Sequence, residues 1–406
     1  MKATERFLKY ISIYTGSHDG MEVTPSSPTM FELANLIAEE MKSLGMSDVK
    51  VDEHSYVYGF LPATPGYEDC KAVGFNAHLD VVDDMGDGEP HPQIIEHYDG
   101  GDITLGESGR VLSPSVFPHL AECKGKTVIT TDGTTVLGAD DKAGIAAVMT
   151  MCETLLTTGK PHGKICVCFS PDEEIGHGAA YLDLDYFGAY YGFTVDGEGP
   201  EGIEYETFNA AEAKLKFTGF SVHPGSAKDK MINAALVAME FDSMLPKYET
   251  PRDTSGYEGF YHLCDMKGEC TEAEMMYIIR DHDKQKFAQR QEVMEDIARK
   301  LNKKYGEGTV ELTITQQYQN MAEIVTQYPE MLDKAREAVR RVGLEPVSHP
   351  VRGGTDGAQL SFRGLPCPNL GAGGYGFHGP YEHLIVEELD TCVDMLLHLV
   401  ELFSQK

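Results

Sequence analysis

Carboxylates and a histidine recur in this sequence directly after apolar, strand-like runs. Four stretches carry the pattern: "AHLDVVDD" with His78 and Asp80, "GADDKAG" with Asp140, "SPDEEIGHG" with Glu173 and Glu174, and "FTVDGEG" with Asp196. In an open α/β sheet the carboxyl ends of the strands line one crevice, so side chains that follow several strands converge there. The sequence therefore predicts a cluster of acids with an imidazole at one edge of a sheet.

Acids gathered in this way repel one another unless something positive lies between them. They can take up protons through raised pKa values, or they can bind a divalent cation. A mixture of imidazole and carboxylate ligands suits zinc, with cobalt or manganese as alternatives. Each stretch also has an ordinary interpretation when taken alone: a surface His-Asp pair, a solvated acidic loop, or a helix N-cap. The four stretches together favour a metal centre.

The elements that must position these residues can be read between Thr127 and Asp196. The β-like runs are TVITT, TVLGA, ICVCFS and YGFTVD, and the helical spacing after "DDK" falls on Ile145, Val148, Cys152 and Leu155. Alternation of this kind is typical of an α/β sheet. It predicts that Asp140 directly follows a strand and opens a helix.

The pattern changes near Phe208. From there EAKLKFTGF, EMMYIIRDHD and GTVELTITQQ indicate strands, and MINAALVAMEFDSML and KQKFAQRQEVMEDIARKLNKKYG indicate helices, the second with an apolar stripe at Phe287, Met294, Ile297 and Leu301. After this unit of a β-sheet plus two helices, the chain returns to helices and a glycine-rich stretch. We predict an α/β domain formed by residues 1–207 and 321–406, with a smaller α+β domain inserted at 208–320.

The composition argues against several classes of function. Among 406 residues, 34 are basic and 65 are acidic, and the formal net charge of -31 provides no basic surface for nucleic acid. The sequence shows no run of transmembrane length, and MKATERFLKYISIY at the N-terminus lacks the apolar core of a secretory signal. The nine cysteines are scattered without a C-x-x-C pair, as in reduced proteins. We expect a soluble, cytoplasmic protein.

Two further stretches complete a resemblance to a known family: "SVHPGSAKDKMINA" around His223 and "FHGPYEH" around His378. Together with "ITTDGTTVLGADDKAGIA", "SPDEE", "IIRDHD" and "RGGTDGAQLSF", they make the sequence closely resemble the M20 metallopeptidases over nearly its whole length. Within that family it is most similar to the aminopeptidases that act on tripeptides. The resemblance implies a zinc-peptidase-like catalytic domain with an inserted lid domain.

The resemblance also implies a ligand set for two divalent metal ions, with zinc the first choice. His78 and Asp196 would bind one ion, Glu174 and His378 the other, and Asp140 would bridge the two. The peptide bond between Asp140 and Asp141 would be cis. This arrangement would explain why acids and histidines follow so many of the strand-like runs.

Two carboxylates receive catalytic roles from the same resemblance. Asp80 would accept a hydrogen bond from His78 and so fix the tautomer that binds metal. Glu173 would be the general base for a water that bridges the two zinc ions, and would return the proton to the leaving amine. The implied reaction is release of the N-terminal residue from a tripeptide.

The inserted domain would contribute to substrate binding. The resemblance implies that His223 reaches the tetrahedral intermediate when the lid closes, although a structural histidine is the alternative. Arg280, and less directly Arg352, are candidates for binding the substrate's terminal carboxylate, or else form structural ion pairs. Lid domains in this family also pair edge to edge, which implies a homodimer.

Alternative functions keep the metal centre and change the substrate or the activity. The chain would then be a dipeptidase, a carboxypeptidase or an N-acyl amino acid amidohydrolase, or a metal- or peptide-binding protein without activity. Glu198, two residues after Asp196, departs from the family pattern. It either contacts the substrate's free amine or faces water.

Overall fold

The computed structural model of the protein describes residues 1–86 and 88–405. It contains two compact units, the first formed by Met1–Tyr205, Glu323–His349 and Thr355–Lys406, and the second by Glu206–Ala322 and Pro350–Gly354. Residues 350–354, which the sequence predicts to be part of the first domain, cluster with the second unit. They belong to the second unit because Arg352 donates hydrogen bonds to the carbonyl oxygens of Gly256 and Glu258.

The strands and helices alternate along most of the chain. In chain order the strands are β1 Ser47–Val51, β2 Val57–Leu61, β3 Val73–His78, β4 Gln93–Ile95, β5 Ile103–Leu105, β6 Arg110–Leu112, β7 Val128–Thr130, β8 Ile165–Ser170, β9 Tyr191–Gly197, β10 Ile203–Glu204, β11 Asn209–Thr218, β12 Phe260–Gly268, β13 Glu272–Asp281, β14 Val310–Tyr318, β15 Asn369–Gly371, β16 Gly374–Tyr375 and β17 His383–Ile385. The α-helices are α1 Ala3–Ile11, α2 Met30–Leu44, α3 Ala139–Thr158, α4 Leu184–Phe187, α5 Ala234–Met244, α6 Lys284–Tyr305, α7 Ala322–Val325, α8 Pro329–Arg341, α9 Asp356–Phe362 and α10 Val386–Phe403.

A seven-stranded sheet in the order β1-β2-β8-β3-β9-β15-β10 is the centre of the first unit. Its inner strands β8, β3, β9 and β15 are parallel, whereas the outer pairs are antiparallel. Every residue of β3 and β8 is buried, which agrees with their mainly apolar sequences. The parallel inner strands bring their carboxyl ends to one edge of the sheet.

Helix α3 packs against β3 and β9, and α1 and α10 pack against α3. The four apolar residues that predicted this helix are all buried: Ile145, Val148, Cys152 and Leu155. The helical prediction after "DDK" is therefore confirmed. Within residues 1–86 and 88–405, no helix combines the length and the apolar character needed to cross a membrane.

The second unit has a four-stranded antiparallel sheet in the order β12-β13-β11-β14. Alternate residues of β11 and β13 are buried, and they form one core with the apolar faces of α5 and α6. The predicted stripe of Phe287, Met294, Ile297 and Leu301 is buried in this core. Strand β12 was not predicted from the sequence, because most of its residues are exposed and its apolar residues do not alternate.

The first unit also contains a smaller sheet in the order β16-β17-β7-β4. In the sequence, β7 precedes Asp140, and β16 and β17 lie on either side of His378. Strand β17 pairs antiparallel with β7 and aligns His383 with Thr130. This pairing brings the chain after His378 beside the segment that leads to Asp140. Strands β5 and β6 form a separate hairpin.

Candidate metal centre

The predicted site residues of the first unit meet at the carboxyl ends of the parallel strands. His78 is the last residue of β3, Asp196 lies at the end of β9, and Glu173 and Glu174 lie in the loop after β8. Since these strands are neighbours in the sheet, their ends are adjacent. His378 joins them from the loop before β17, in a left-handed backbone conformation with φ of 60°.

Asp140 does not follow a strand, so this prediction is wrong. The run TVLGA is buried but is not part of a strand, and Asp140 and Asp141 have non-helical backbone angles at the start of α3. The N–H groups of Leu137, Gly138 and Asp140 donate to the carboxylate of Glu382 at 2.6, 2.8 and 2.9 Å, in place of a neighbouring strand. The Asp140-Asp141 peptide bond is cis, as the resemblance implies.

The two carboxylate oxygens of Asp140 face two different histidines. Oδ1 lies 2.9 Å from Nε2 of His78, and Oδ2 lies 3.1 Å from Nε2 of His378. Each imidazole has a second acidic partner, because His78 Nε2 is 3.6 Å from Asp196 Oδ1 and His378 Nε2 is 3.0 Å from Glu174 Oε2. Asp140 therefore lies between two His-carboxylate pairs.

Asp80 orients His78 and the loop after β8 at once. Nδ1 of His78 lies 3.1 Å from the carbonyl oxygen of Asp80, which only accepts, so Nδ1 carries the proton. The carboxylate of Asp80 lies 3.4 Å from the same nitrogen and accepts the backbone N–H groups of Glu173 and Glu174 at 3.0 and 3.1 Å. Nε2 is therefore the nitrogen of His78 that is directed at the carboxylates of Asp140 and Asp196.

This donor set fits divalent metal ions. A neutral imidazole nitrogen aimed at Asp140 and Asp196 places acceptors against acceptors, which is unfavourable unless a proton or a cation lies between them. The ligand atoms of His78, Asp140 and Glu174 all lie within 4.8 Å of one another, and those of His78, Asp141 and Asp196 do so as well. Imidazole nitrogen with carboxylate oxygen is a donor set for zinc and related metals.

The pKa values indicate that the cluster contains more acidic groups than positive charges to balance them. Burial, followed by the nearby charge of Asp140, raises the pKa of Glu174 to about 8 and that of Asp196 to about 7. Burial also acts to raise the pKa of Asp140, but hydrogen bonds with His378 and His78 outweigh it and lower the pKa. Hydrogen bonds with Asp140 and Glu174 raise the pKa of His378 to about 11. Without a cation, this cluster retains protons that metal ions would displace.

Glu173 lies beside the cluster, and its Oε1 is directed at a backbone N–H group and not at a histidine. That oxygen accepts the backbone N–H of Asp356, at the start of α9, at 3.2 Å. Burial raises the pKa of Glu173 well above its ordinary value, and the charges of Asp196 and Asp356 act in the same direction. A carboxyl group held in this way can exchange a proton near the metal ligands.

Three predicted site residues belong to the second unit. His223 is exposed, and its Nδ1 accepts the N–H of Gly225. Arg280 donates to the carbonyl oxygens of Ala211 and Ile279 at 3.2 and 3.0 Å, and its guanidinium lies over the ring of Tyr318.

Arg352 has a structural environment that the sequence did not reveal. Besides its bonds to Gly256 and Glu258, its guanidinium donates to the hydroxyl of Thr254 at 2.9 Å. It also lies over the rings of Phe208 and Phe260. These contacts tie the segment 350–354 to the second unit.

Sequence reasoning missed three acids that support the ligands. Asp141 accepts the N–H groups of His78 and Gly144 at 3.1 and 3.2 Å. Glu382 accepts those of Leu137, Gly138 and Asp140. The carboxylate of Asp356 is buried, accepts from Ser170 at 2.7 Å, and has one oxygen without a hydrogen-bond partner among the described residues. For two of these acids the sequence contains a signal, which is their position: Asp141 adjoins the predicted ligand Asp140, and Glu382 follows the predicted ligand His378 by four residues.

A cavity of about 980 Å³ in the first unit reaches this centre. Its lining includes His378, the rings of Phe117 and Tyr381, and the acids Glu198 and Glu201. Glu198 is exposed in this cavity, so contact with the substrate's amine and contact with water both stay predictions for it. His378, a predicted metal ligand, is accessible from this cavity.

The fold and the cluster together are those of an α/β metallohydrolase. Residues 136–402 match the model of "Peptidase family M20/M25/M40". The chain is 47% identical over 406 residues to "Peptidase T" of Clostridium perfringens strain 13, and the match covers 100% of both chains. The protein therefore belongs to peptidase family M20/M25/M40, which confirms the resemblance and the prediction of a peptide-bond hydrolase.

Solved structures share the fold at low sequence identity. Aminopeptidase PepT from Bacillus cereus ATCC 10987 has a TM-score of 0.79 and 21% identity, with 100% of this chain and 98% of that chain covered. A tripeptidase from Staphylococcus aureus subsp. aureus Mu50 has a TM-score of 0.79 and 20% identity, with the same coverage. These similarities confirm the α/β fold class.

Proposed function

We propose that the protein is a dinuclear metallo-aminopeptidase that releases the N-terminal residue from tripeptides, with zinc as its metal. The observation that carries the proposal is the carboxylate of Asp140, whose two oxygens face His78 and His378. The relatives support the substrate class, since one full-length relative is named peptidase T and a protein of the same fold is described as a tripeptidase.

In this proposal His78 and Asp196 would hold one metal ion, His378 and Glu174 would hold the other, and Asp140 would contribute to both sites. When bound, the ions lower the pKa of water and polarise the peptide carbonyl. The protein keeps Nε2 of His78 available by holding the proton on Nδ1 against Asp80. Three carboxylates against two neutral imidazoles leave a net negative charge that two divalent ions would compensate.

Glu173 acts as the general base in this proposal. It accepts a proton from the attacking water and returns it to the amine that leaves. The backbone N–H of Asp356 orients one of its oxygens, and the carboxylate of Asp80 fixes its backbone. Its raised pKa favours a residue that must hold a proton between the two steps.

The second unit supplies substrate contacts in this proposal. His223, exposed at the start of a short turn, donates a hydrogen bond to the developing oxyanion. Arg280 binds the terminal carboxylate, and the ring of Tyr318 holds its guanidinium in place. The contacts of Arg352 favour a structural role for that residue.

The test is amino-acid release by zinc-loaded protein from a free tripeptide, its N-acetyl derivative, and the matching dipeptide and tetrapeptide. The proposal expects cleavage of the free tripeptide at its N-terminus, with loss of activity in Glu173→Gln. Cleavage of the acetylated peptide would instead favour the amidohydrolase alternative. Metal binding without any cleavage would favour a binding protein.

The cellular location and the oligomeric state stay predictions. All nine cysteines are unpaired, and six of them are buried, as expected for the reducing cytoplasm. A homodimer formed through residues 208–320 is expected from the family resemblance. Light scattering of the purified chain would give twice the monomer mass if this expectation is correct.

A further inference from the structure

Glu382 is a buried acid that no step of the proposed reaction uses. It is 1% exposed, and both of its carboxylate oxygens are occupied by backbone donors. Oε2 accepts the N–H groups of Leu137 and Gly138 at 2.6 and 2.8 Å, and Oε1 accepts that of Asp140 at 2.9 Å. One side chain therefore satisfies three donors in the turn that ends at the shared metal ligand.

The backbone on both sides of Glu382 is fixed by other contacts. Strand β17 begins at the next residue and pairs with β7, and Nδ1 of His383 donates to the carbonyl oxygen of Tyr381 at 2.7 Å. Nε2 of His383 lies 2.7 Å from Nε2 of His119, which donates to it because the proton of His383 is on Nδ1. Glu382 thus has little freedom to move.

The same residue connects the two loops that carry metal ligands. Glu382 follows His378 by four residues in sequence, and its carboxylate reaches the loop of Asp140, about 240 residues earlier. The two oxygens of Asp140 must keep their directions toward His78 and His378 for both ions to bind. A shift of the Asp140 backbone would change the distances from its two oxygens to His78 and His378 together.

We propose that Glu382 is a positioning residue for the dinuclear centre, which holds the Asp140 turn in register with the His378 segment so that one carboxylate serves both metals. This inference rests on the proposed metal site. A carboxylate is required because its two oxygens only accept. The amide of glutamine would retain one acceptor and turn an N–H₂ donor toward backbone N–H groups.

The experiment compares Glu382→Gln with wild type by titrating cobalt(II) into metal-free protein. Calorimetry gives the affinity of each ion, and the visible absorption of cobalt reports ligand geometry. We expect Glu382→Gln to fold, to bind at least one cobalt ion at least about 10-fold more weakly, and to show an altered cobalt spectrum.

A matched control is Glu387→Gln. Glu387 is an exposed acid in the same segment that accepts the N–H of Thr127, at 3.1 and 2.9 Å, and contacts no metal ligand among the described residues. It should keep wild-type cobalt affinities and spectrum. Wild-type affinities and spectrum in Glu382→Gln, or an equal loss in Glu387→Gln, would overturn the inference. A wild-type protein that binds no cobalt would instead refute the proposed function.

Hydrogen exchange of the wild-type protein tests the inference even if Glu382→Gln does not fold. The metal-free chain should protect the amides of Leu137, Gly138 and Asp140, because the Glu382 carboxylate accepts from them without metal. Protection well above that of the exposed Thr134 supports the inference. Exchange as fast as that of Thr134 would show that Glu382 does not hold this turn.

Discussion

Two buried clusters of charged side chains in the first unit balance their charges in opposite ways. In the first, Arg6 of α1 is 1% exposed and pairs with Glu40 of α2 at 2.6 Å and Glu153 of α3 at 2.7 Å. Lys9 donates to the other oxygen of Glu40 at 2.8 Å. Together with the amine of Met1, which lies 2.8 Å from Glu153, three cations meet two acids, so the protein neutralises this cluster with its own groups.

The acids of the candidate metal centre are also largely buried, but they are in excess. Asp140, Glu174 and Asp196 face two imidazoles, and the pKa values of Glu174 and Asp196 are raised. Burial also acts to raise the pKa of Glu40, but hydrogen bonds from Lys9 and Arg6 outweigh it, and the pKa is lowered. Burial alone therefore does not indicate a ligand site. The informative feature is a buried acid cluster that the chain's own cations do not balance.

The largest expected effect is a loss of catalysis on substitution beside the metal centre, without a loss of stability. Glu173→Gln should lower kcat by roughly 10³-fold, because it removes the proposed proton acceptor, and should not lower the free energy of unfolding. Steady-state kinetics with a tripeptide and urea unfolding measure the two quantities. A variant that retains full activity would remove Glu173 from the mechanism.

The opposite result is expected at the cluster of Arg6, Lys9, Glu40 and Glu153: a loss of stability without a loss of metal binding. Arg6→Met should lower the free energy of unfolding by about 3 to 5 kcal/mol, because Glu40 remains buried without its main partner. It should leave zinc stoichiometry unchanged. Lys9→Met is the matched control, since Lys9 is 38% exposed and its loss should cost about 1 kcal/mol or less. Equal losses in both variants would contradict the distinction between buried and exposed partners.

Zinc should raise the free energy of unfolding only by binding at the acid-rich cluster. At a free concentration about 100 times its Kd, zinc should add about 2.7 kcal/mol of unfolding free energy for each independent site. The same increment is expected in Arg6→Met, because the two clusters share no side chain. Urea unfolding with and without zinc measures it. A smaller increment in Arg6→Met would show that the clusters are coupled.

The smallest expected effect is on the acid dependence of stability. The pKa of Glu40 is below its ordinary value of 4.5, so its contribution is fully present above 4.5 and is lost as pH falls through the folded-state pKa. Metal-free Glu40→Gln should therefore lose less stability than wild type between pH about 6 and about 3. Parallel unfolding curves for the two proteins would contradict this assignment.

The sequence was sufficient for the parts of the site that depend on local pattern. His78, Asp196 and the Glu173-Glu174 pair follow apolar runs that are strands β3, β9 and β8, and strand ends converge by the geometry of a parallel sheet. The ligand roles came from the family resemblance, and they stay predictions.

Long-range hydrogen bonds account for what the sequence did not predict. TVLGA has the composition of a strand, but Glu382, distant in sequence, takes its backbone donors. The sequence left Arg352 between a substrate contact and a structural role, because its partners Gly256 and Glu258 lie about 95 residues away. No local pattern contains such partners.

The most direct test of the account is a crystal structure of zinc-loaded protein with anomalous data at the zinc edge. The account predicts two peaks in each chain, one contacting His78 and Asp196, the other contacting His378 and Glu174, and both contacting Asp140. A single peak at these ligands, or two peaks that do not share Asp140, would contradict the dinuclear centre.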